Sequence, residues 1–419
     1  MKIAVIGSGI SGLGTALLLS QKHEVHLFEA SNRLGGHAHT SSVTVDNGKQ
    51  IFIDTGFLVY NDLTYPHLRS LFKFLRTETV ASDMSLSIQV PQAGLEWAGN
   101  NLDSVFAQRK NIFNPRFHKL LFAILDFHKK AEKLRDLSSV NRWTIGDLLR
   151  EQNYPKELME WYILPMVAAI WSTPEKGMLD FPAETFLTFF INHKLLQVND
   201  RPVWRTVKNG SKNYVDQIAA KLEHIHLNEA VNSVENVNGV LQLKTHLGDY
   251  QFDRVVFATH APVTAKIYKF KHARQEKLIK SFATIPNQAI LHSDLGFMPQ
   301  REKCWASWNV QAQLGTAASD KVSLTYLLNR LQPIDTDRKM LLTLNPSRKP
   351  SGVMLSANYE HPKFDQLAID AQNDIPHLQG IDGVYFAGAW TRYGFHEDGL
   401  LSAVNVAKLF EIETPWRVE

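Results

Sequence analysis

The stretch that decides the fold is residues 2–29, which reads KIAVIGSGISGLGTALLLSQKHEVHLFE. Lys2–Ile6 is short, apolar and rich in β-branched residues, and this composition predicts a buried parallel strand. Residues 13–19 are apolar and predict a helix, and Glu24–Phe28 predicts a second strand. A strand, a helix and a second strand in this order predict a Rossmann-like α/β domain.

The link between the first strand and the helix is a glycine pattern. Gly7, Gly9 and Gly12 have G-x-G-x-x-G spacing, with Ile10 and Ser11 inside the pattern. The first glycine permits a tight turn, the second lets backbone approach a pyrophosphate, and the third lets the helix pack close to the strand. The helix N-terminus adds free N–H groups and a partial positive charge. The pattern therefore predicts a dinucleotide site.

The second strand ends at an acidic residue. Glu29 lies 17 residues after Gly12, close to the position of a ribose-binding acid, and Ala30 follows it. A carboxylate accepts hydrogen bonds from ribose hydroxyls but repels a 2′-phosphate. NADP is therefore disfavoured.

The residues after Glu29 extend the motif to E-x-x-x-R-x-G-G. The extension is formed by Arg33, Gly35 and Gly36, and His37 follows it. This pattern resembles the FAD-dependent superfamily of flavin-containing amine oxidases, protoporphyrinogen oxidases and phytoene desaturases. In that superfamily the arginine and paired glycines pack around the FAD pyrophosphate and ribityl chain. The resemblance implies FAD rather than NAD.

Two further segments resemble the superfamily's FAD domain. Asp54, Thr55 and Gly56 resemble its D-x-G motif, in which glycine lets backbone pass close to the flavin. Val231 follows a predicted strand at the place of a valine that contacts adenine in the superfamily. Simple core packing explains that valine equally well. Residues 254–259 predict another buried strand beneath the cofactor.

The last strand and the last helix complete the resemblance. Residues 383–387 predict a buried strand, and the resemblance places Gly388 and Ala389 beside the FAD phosphates. The final helix is expected to aim its N-terminal N–H groups, from about Gly399 and Leu400, at the flavin pyrimidine ring.

Three side chains near that helix have alternative roles. Asp398 belongs to the expected cofactor site, although its carboxylate also suits a helix N-cap. His396 is a candidate catalytic residue, with a packing histidine as the alternative. Tyr60, which follows Gly56, is a second candidate for the catalytic pocket.

Blocks outside the FAD motifs narrow the resemblance to one subfamily. They are IDTGFLVYNDLTYPHL at 53–68, SDMSLSI at 82–88, RPVWRTVKNGSKNYVD at 201–216, CWASWN at 304–309 and YGFHEDG at 393–399. The subfamily consists of amine-oxidase-like FAD-binding proteins related to the N-terminal domain of plant cyclopropane fatty acid synthases. The resemblance covers nearly the whole chain and implies a lipid acyl chain as the substrate.

The order of elements implies a discontinuous organisation. We expect an α/β class fold, α+β overall, with an FAD-binding domain from residues 1–75, 201–262 and 370–419. The substrate-binding domain then comprises residues 76–200 and 263–369. The first of these segments is predicted to be helical at 117–134, 161–171 and 186–196, and the second to be stranded, as at 321–328.

The apolar runs of the first inserted segment have two interpretations. Core packing between helices is one, and a hydrophobic substrate tunnel or a membrane-facing lip is the other. Several basic residues accompany these runs and fit a solvated helix face or an anionic bilayer surface: Lys119, Lys129, Lys130, Lys133 and Arg135.

The composition of the chain excludes a disordered protein, a collagen and a coiled coil. The 419 residues are 44% hydrophobic and 21% charged, the balance of a globular protein. A net charge of +3 gives no argument for a nucleic-acid partner. No secretory signal or apolar run long enough to span a bilayer is apparent. We therefore expect a cytoplasmic protein, with contact at a membrane surface as an open alternative.

The cysteine count bears on the cofactor. Cys304 is the only cysteine, which excludes an internal disulfide and zinc sites with several thiolates, and no metal is predicted. Monoamine oxidases attach their flavin to a cysteine shortly before the final helix, a region where this chain has none. FAD is therefore expected to bind non-covalently.

The resemblance implies an oxidoreductase. A hydride would pass from a hydrophobic substrate to the flavin, and O2 or another acceptor would take the electrons; oxidation, desaturation and isomerisation all remain open. One alternative is a flavin amine oxidase. An alternative of another class is a non-catalytic accessory or redox-sensing flavoprotein.

Overall fold

The structure, a computed structural model, describes residues 1–171, 179–194, 202–312 and 323–418. The described strands are β1 Lys2–Ile6, β2 Glu24–Phe28, β3 Thr40–Thr44, β4 Gln50–Asp54, β5 Tyr60–Asn61, β6 Thr79–Ala81, β7 Leu86–Val90, β8 Leu95–Ala98, β9 Trp204–Val207, β10 His224–His226, β11 Val231–Val237, β12 Val240–Thr245, β13 Asp249–Phe252, β14 Arg254–Phe257, β15 Ala283–His292, β16 Trp308–Gln311, β17 Ser323–Leu327, β18 Leu341–Leu344, β19 Leu355–Lys363 and β20 Val384–Phe386.

The described α-helices alternate with these strands along the chain. They are α1 Ile10–Leu19, α2 Pro66–Leu75, α3 Leu102–Val105, α4 Pro115–Asn141, α5 Ile145–Glu151, α6 Lys156–Leu158, α7 Leu164–Trp171, α8 Ala183–Asn192, α9 Lys212–Ala219, α10 Ala261–Ile267, α11 Ala273–Ile279, α12 Leu328–Leu331, α13 Gln366–Gln372, α14 Ile375–Leu378 and α15 His396–Leu409.

A five-stranded parallel sheet organises the cofactor-binding part of the chain. Its strand order is β10-β2-β1-β14-β20, and β1 lies at its centre, with Val5 between Leu27 and Val256. Four of the five residues of β1 are buried, as expected for a strand covered on both faces. The sheet draws strands from all three segments predicted for the FAD domain. The mixed parallel and antiparallel architecture confirms the predicted α/β class.

Helix α1 begins earlier than its apolar pattern predicts. It starts at Ile10 instead of residue 13, directly after Gly9, and every one of its residues is buried. Ser11 and Gly12 hid this start because neither belongs to an apolar repeat. Helix α15 packs against α1, and side chains at Gly14 or Gly399 would clash with the opposite helix. Small residues thus bring the final helix to the N-terminus of α1.

The second large sheet of the fold has seven strands. Its order is β19-β15-β18-β17-β16-β7-β8, antiparallel except between β7 and β16. Its strands come from both segments predicted for the substrate domain. Smaller sheets are β11-β12-β13, β3-β4 and β5-β9-β6. The division into two domains itself stays a prediction.

The predicted helices of the inserted segment occur with altered bounds. The helix predicted at 117–134 is the longer α4, and residues 161–171 combine a π-helical turn, Met159–Ile163, with α7. The helix predicted at 186–196 is α8, which ends at Asn192, and residues 195–196 lie outside the described part. The strand predicted at 321–328 is described only from Ser323, and Leu328 already begins α12. No helix in the described ranges is long and apolar enough to cross a membrane.

Candidate active site

A cavity of about 740 Å3 runs from the carboxyl ends of the parallel strands into the aromatic helices of the inserted segment. Ile6, Phe28, Ala258 and Gly388, at or just after the ends of four adjacent strands, line it. Ligands of open parallel sheets bind at this edge. The cavity has a cofactor half at the strand ends and an aromatic half beyond them.

The glycine loop forms one wall of the cofactor half. Gly7, Gly9, Ile10 and Ser11 line the cavity. A Cβ at Gly9 would meet no protein atom within 4 Å, so this backbone faces open space that a ligand can use. Gly12 does not line the cavity, and a Cβ there would overlap the carbonyl oxygen of Gly7. The third glycine thus acts through helix–strand packing.

Glu29 is held at the end of β2 by hydrogen bonds. Ser8 donates from its backbone N at 3.0 Å and from Oγ at 2.6 Å to one carboxylate oxygen. Ser31 donates from backbone N at 2.9 Å to the other oxygen. Glu29 and Ala30 both line the cavity, where the carboxylate can accept from ribose hydroxyls.

The extension after Glu29 divides into two groups. Gly36 and His37 line the cavity, whereas Arg33 and Gly35 do not. The Arg33 guanidinium donates to the Gly36 carbonyl at 2.9 Å, so it fixes the loop from behind. Gly35 has a φ of 106°, and a Cβ there would clash with the carbonyl oxygen of Ala38. These two residues shape the cofactor wall without forming its surface.

The D-x-G segment has one residue at the cavity. Gly56 lines it, and a Cβ there would overlap the carbonyl oxygen of His37. Thr55 lies off the cavity, with its hydroxyl 2.6 Å from the Tyr359 hydroxyl. Asp54 is buried, and burial raises the pKa of its carboxyl to about 6 although Ser211 donates to it from backbone N. Asp54 therefore anchors this loop.

The other predicted cofactor residues of the strand ends lie at the cavity. Val231, Gly388 and Ala389 all line it. The backbone N of Gly388 donates to the Ser402 hydroxyl at 2.8 Å, which ties the end of β20 to α15.

The beginning of α15 reaches the cavity through one residue, His396. Its ring stacks on Phe57 at 3.8 Å between centroids, and Nε2 lies 2.6 Å from the Tyr214 hydroxyl. Burial lowers the pKa of His396 to about 3, so the imidazole is neutral at neutral pH. His396 thus presents a neutral, oriented ring to the cavity.

The other predicted residues of this helix do not line the cavity. Asp398 accepts a hydrogen bond from the backbone N of Phe395 at 3.0 Å and so caps the helix. Gly399 packs against Ile10 and Ser11, and Leu400 is fully buried. The helix turns these three residues toward α1 and the core, and a contact of their backbone N–H groups with the flavin stays a prediction.

Glu397 is a buried carboxylate that the sequence did not single out. Its two oxygens accept hydrogen bonds from the backbone N–H groups of His67 and Leu68, each at 2.9 Å. Both N–H groups belong to the first turn of α2, whose partial positive charge favours a carboxylate. Burial nevertheless raises the pKa of Glu397 to about 7. The contact links α15 to α2.

Tyr60 is placed away from the cavity. It is buried in β5 beside Tyr65 and Phe72, with ring centroids 6.2 and 5.3 Å away. It is not among the residues that line the cavity. Tyr60 therefore does not reach the cavity, although its neighbour Tyr65 does, and the catalytic role of Tyr60 stays a prediction that this position does not favour.

The aromatic half brings together residues that sequence reasoning left as general apolar runs. Its lining aromatic side chains come from distant elements: Tyr65, Trp171, Phe189, Trp204, Trp308, Tyr326, Phe364, Tyr393 and Phe395. Phe189 stacks on Phe395 at 4.6 Å, and Trp308 packs edge-on to Tyr326 at 4.9 Å. The only carboxylates of the described lining, Glu29 and Glu229, adjoin each other in the cofactor half.

Three histidines line the cavity in addition to His396. The His37 ring centroid lies 5.9 Å from that of His260 and 5.5 Å from that of His361. Burial lowers the pKa of all three, and that of His361 reaches about 4. The sequence singled out His37 only, since the other two follow β14 and lie on β19 without a motif that marks them.

The sole cysteine lies outside the cavity. Cys304 is fully buried and does not line it, and burial raises the pKa of its thiol to about 12. It offers no accessible thiolate for attachment of a cofactor.

Comparison with known proteins identifies the family. The family model for flavin-containing amine oxidoreductases matches residues 10–344. The chain belongs to this family. FAD is therefore its cofactor, as the open backbone at Gly9 and the carboxylate of Glu29 allow, and it is a flavin-dependent oxidoreductase.

Several solved structures share the fold of this chain at low identity. A protein from Exiguobacterium sp. 255-15 assigned as a protoporphyrinogen oxidase is 14% identical, with a TM-score of 0.71 and 98% of each chain covered. Cyclohexylamine oxidase from Brevibacterium oxydans IH-35A is 14% identical, with a TM-score of 0.70 and coverage of 98% of this chain and 99% of that chain. The fatty acid isomerase of P. acnes that produces CLA is 12% identical, with a TM-score of 0.67 and coverage of 97% and 98%.

A curated relative matches over a short segment. Tryptophan 2-monooxygenase from Allorhizobium ampelinum is 38% identical over 87 residues. The aligned segment is 19% of this chain and only 12% of that relative. The solved structures of similar fold include enzymes named for amines and for a fatty acid, so the fold alone does not select a substrate.

Proposed function

We propose that this flavin amine oxidoreductase removes a hydride from a hydrophobic substrate, and that the substrate is a lipid acyl chain. The observation that carries the proposal is the aromatic half of the cavity. Nine aromatic side chains line it, and both carboxylates of the described lining lie in the cofactor half. Transfer of an apolar chain from water into this lining is favourable, whereas a cationic substrate finds no carboxylate partner there.

Bound FAD supplies the hydride acceptor. The chain's own groups hold the two ends of the site. Glu29 would accept hydrogen bonds from the ribose, and the backbone at Gly9 and Gly36 would hold the pyrophosphate. Phe189 and Phe395 enclose the apolar substrate and exclude water, which protects the reacting atoms from competing reactions.

The histidine trio of His37, His260 and His361 is the proposed acid–base group. Burial lowers the pKa of all three imidazoles, so at pH 7 each is neutral and offers the lone pair of one ring nitrogen, and the same lowering makes each a weaker base than a free imidazole. Within the described residues none of the three imidazoles hydrogen-bonds to a protein group, which leaves their nitrogens available to a ligand in the cavity. His396, by contrast, already engages Tyr214 through Nε2 and is proposed to orient the bound ligand.

Amine oxidation is the second candidate, favoured by one observation. Aromatic faces also attract ammonium groups, so the same lining is compatible with an amine. O2 or another small-molecule acceptor serves either reaction. The cytoplasmic location and contact with a membrane surface are likewise proposals.

The test is anaerobic mixing of the holoprotein with two substrate classes. Phospholipids with mono-unsaturated chains in detergent micelles are expected to bleach the visible flavin absorbance, and Phe189→Leu should slow this bleaching. Photoreduction of the same sample shows independently that the flavin can be reduced. Bleaching by putrescine or cyclohexylamine, with none by lipid, would replace the acyl-chain proposal with amine oxidation. A photoreducible flavin that neither class bleaches would contradict both proposals.

A further inference from the structure

Large apolar side chains project from the surface around the N-terminal half of α4. Phe113 is 85% exposed, Phe122 70%, Leu125 56% and Ile112 43%. No other large apolar side chain of the described residues is more exposed than Phe113. Exposed apolar residues gathered in one region mark a surface that contacts something other than water.

The patch is held in a defined position. Phe122 and Leu125 are three residues apart and therefore share a helix face. The His118 ring donates from Nε2 to the Ile112 carbonyl at 2.7 Å, which fastens the turn before α4 to the helix's first turn. Asn114 caps the helix by accepting from Arg116 and Phe117. Phe113 is thus presented beside the helix by a hydrogen-bonded turn.

Basic residues surround the apolar side chains. Residues 102–136 contain eight Lys and Arg against four Asp and Glu. Lys119 precedes Phe122 by three positions, and Lys129 follows Leu125 by four, so exposed lysines flank the apolar pair along the helix. Among the described residues, no carboxylate forms an ion pair with Lys110 or Lys129. Lys119 lies 4.0 Å from a carboxylate oxygen of Glu157. The patch therefore combines apolar side chains with positive charge, part of which has no carboxylate partner among the described residues.

This combination selects one kind of partner. Phenylalanine and leucine insert at the boundary between lipid head groups and acyl chains, and lysines extend their ammonium groups to anionic head groups. The opposite face of α4 is buried through Phe117, Leu120 and Phe127, which anchors the helix to the protein. Helix α4 packs on α8, the helix that carries Phe189 into the aromatic half of the cavity. The patch lies one helix layer from the proposed substrate chamber.

We propose that the surface formed by Ile112, Phe113, Phe122 and Leu125, with Lys110, Lys119 and Lys129, docks on an anionic lipid bilayer. This inference deepens the proposed function and rests on it for its purpose, since a membrane would deliver the acyl-chain substrate. The docking itself requires no turnover.

The test is sedimentation of the holoprotein with vesicles of phosphatidylglycerol and phosphatidylcholine, compared with phosphatidylcholine alone. We expect binding to the anionic vesicles that falls at high salt. The double variant Phe113→Ser/Phe122→Ser should lower partitioning at least about ten-fold. Each of Lys110→Gln, Lys119→Gln and Lys129→Gln should lower it about five-fold. Leu247→Ser, a 66% exposed residue of the β12–β13 turn, is the matched control and should bind as the parent does.

Retained flavin and an unchanged unfolding temperature show that a variant is folded. The proposal is overturned if the parent does not sediment with anionic vesicles or if the double variant binds equally well. It is also overturned if the patch instead mediates a dimer that the double variant dissolves in size-exclusion chromatography. Vesicle binding without bleaching by lipid would sink only the substrate proposal. Bleaching by micellar lipid without vesicle binding would sink only the docking proposal.

Discussion

The two halves of the cavity are built in different ways. The cofactor half is largely backbone: glycines at positions 7, 9, 36, 56 and 388 line it, together with two carboxylates, Glu29 and Glu229. The aromatic half is formed almost wholly by side chains. Its rings come from residues far apart in the sequence, including the residue before α2, α8, β16 and the chain between β19 and α15. Local backbone geometry thus forms the site for a ligand of fixed shape, whereas the packing of side chains from distant elements forms the apolar half of the cavity.

The largest expected effect tests whether the cofactor half depends on backbone packing. Gly12→Val should destabilise the protein by at least about 3 kcal/mol and abolish flavin content, because its Cβ would overlap the Gly7 carbonyl oxygen. Gly9→Ala is the matched variant: its Cβ enters open space, so the chain should fold but retain less flavin. Thermal unfolding and flavin-to-protein ratio measure both. Equal unfolding temperatures for the two variants would contradict the assignment of separate roles.

Glu397→Gln tests the junction between the halves through pH. The folded-state pKa of Glu397 is about 7, above the ordinary value of 4.5, so the stability that its protonated form contributes is present below pH 4.5 and lost as pH rises through 7. The side chain of the variant at position 397 cannot ionise. Between pH 5 and 8 the free energy of unfolding of the variant should therefore fall by about 2 kcal/mol less than that of the parent.

Urea unfolding at several pH values measures that difference. The lowered pKa values of the cavity histidines favour stability in the opposite direction, with stability gained as pH rises toward 6.5, but they are common to both chains. Parallel stability curves for parent and variant would show that Glu397 is ionised across this range.

Phe189→Leu sharpens the contrast from the aromatic side. The smaller side chain opens the wall beside Phe395 and should raise KM for an apolar substrate about ten-fold, at a stability cost of about 1 kcal/mol. Flavin content should remain that of the parent, because Phe189 belongs to the other half. Steady-state kinetics measure KM, and absorbance spectra measure flavin content. Loss of flavin in the folded variant would show that the two halves of the cavity do not act separately.

The smallest effect is expected at Cys304, outside both halves. The buried thiol has a pKa of about 12, so native protein should resist thiol reagents at pH 8, while unfolded protein should react fully. Cys304→Ala should keep its flavin content and still release flavin on acid precipitation. Flavin that stays with precipitated parent protein but not with the variant would show covalent attachment at this cysteine.

Much of the cofactor half followed from the sequence because glycine spacing records backbone constraints directly. Gly7, Gly9 and Glu29 were found this way, and the structure places all three at the cavity. The same reasoning does not show which residues reach the cavity: Arg33, Gly399 and Leu400 do not line it, because a motif shows that a residue matters to a loop or helix but not where it lies relative to the cavity. Arg33 binds loop carbonyls, and Leu400 packs in the core.

The sequence by itself determined the family, the FAD cofactor and the strands at the centre of the parallel sheet, since these depend on short-range patterns of glycine and apolar residues. Tertiary structure alone decided which rings form the aromatic half, that Tyr60 lies off the cavity, and that His37, His260 and His361 meet. Such contacts join residues hundreds of positions apart. They follow from how two sheets and their helices pack, and no local pattern records that packing.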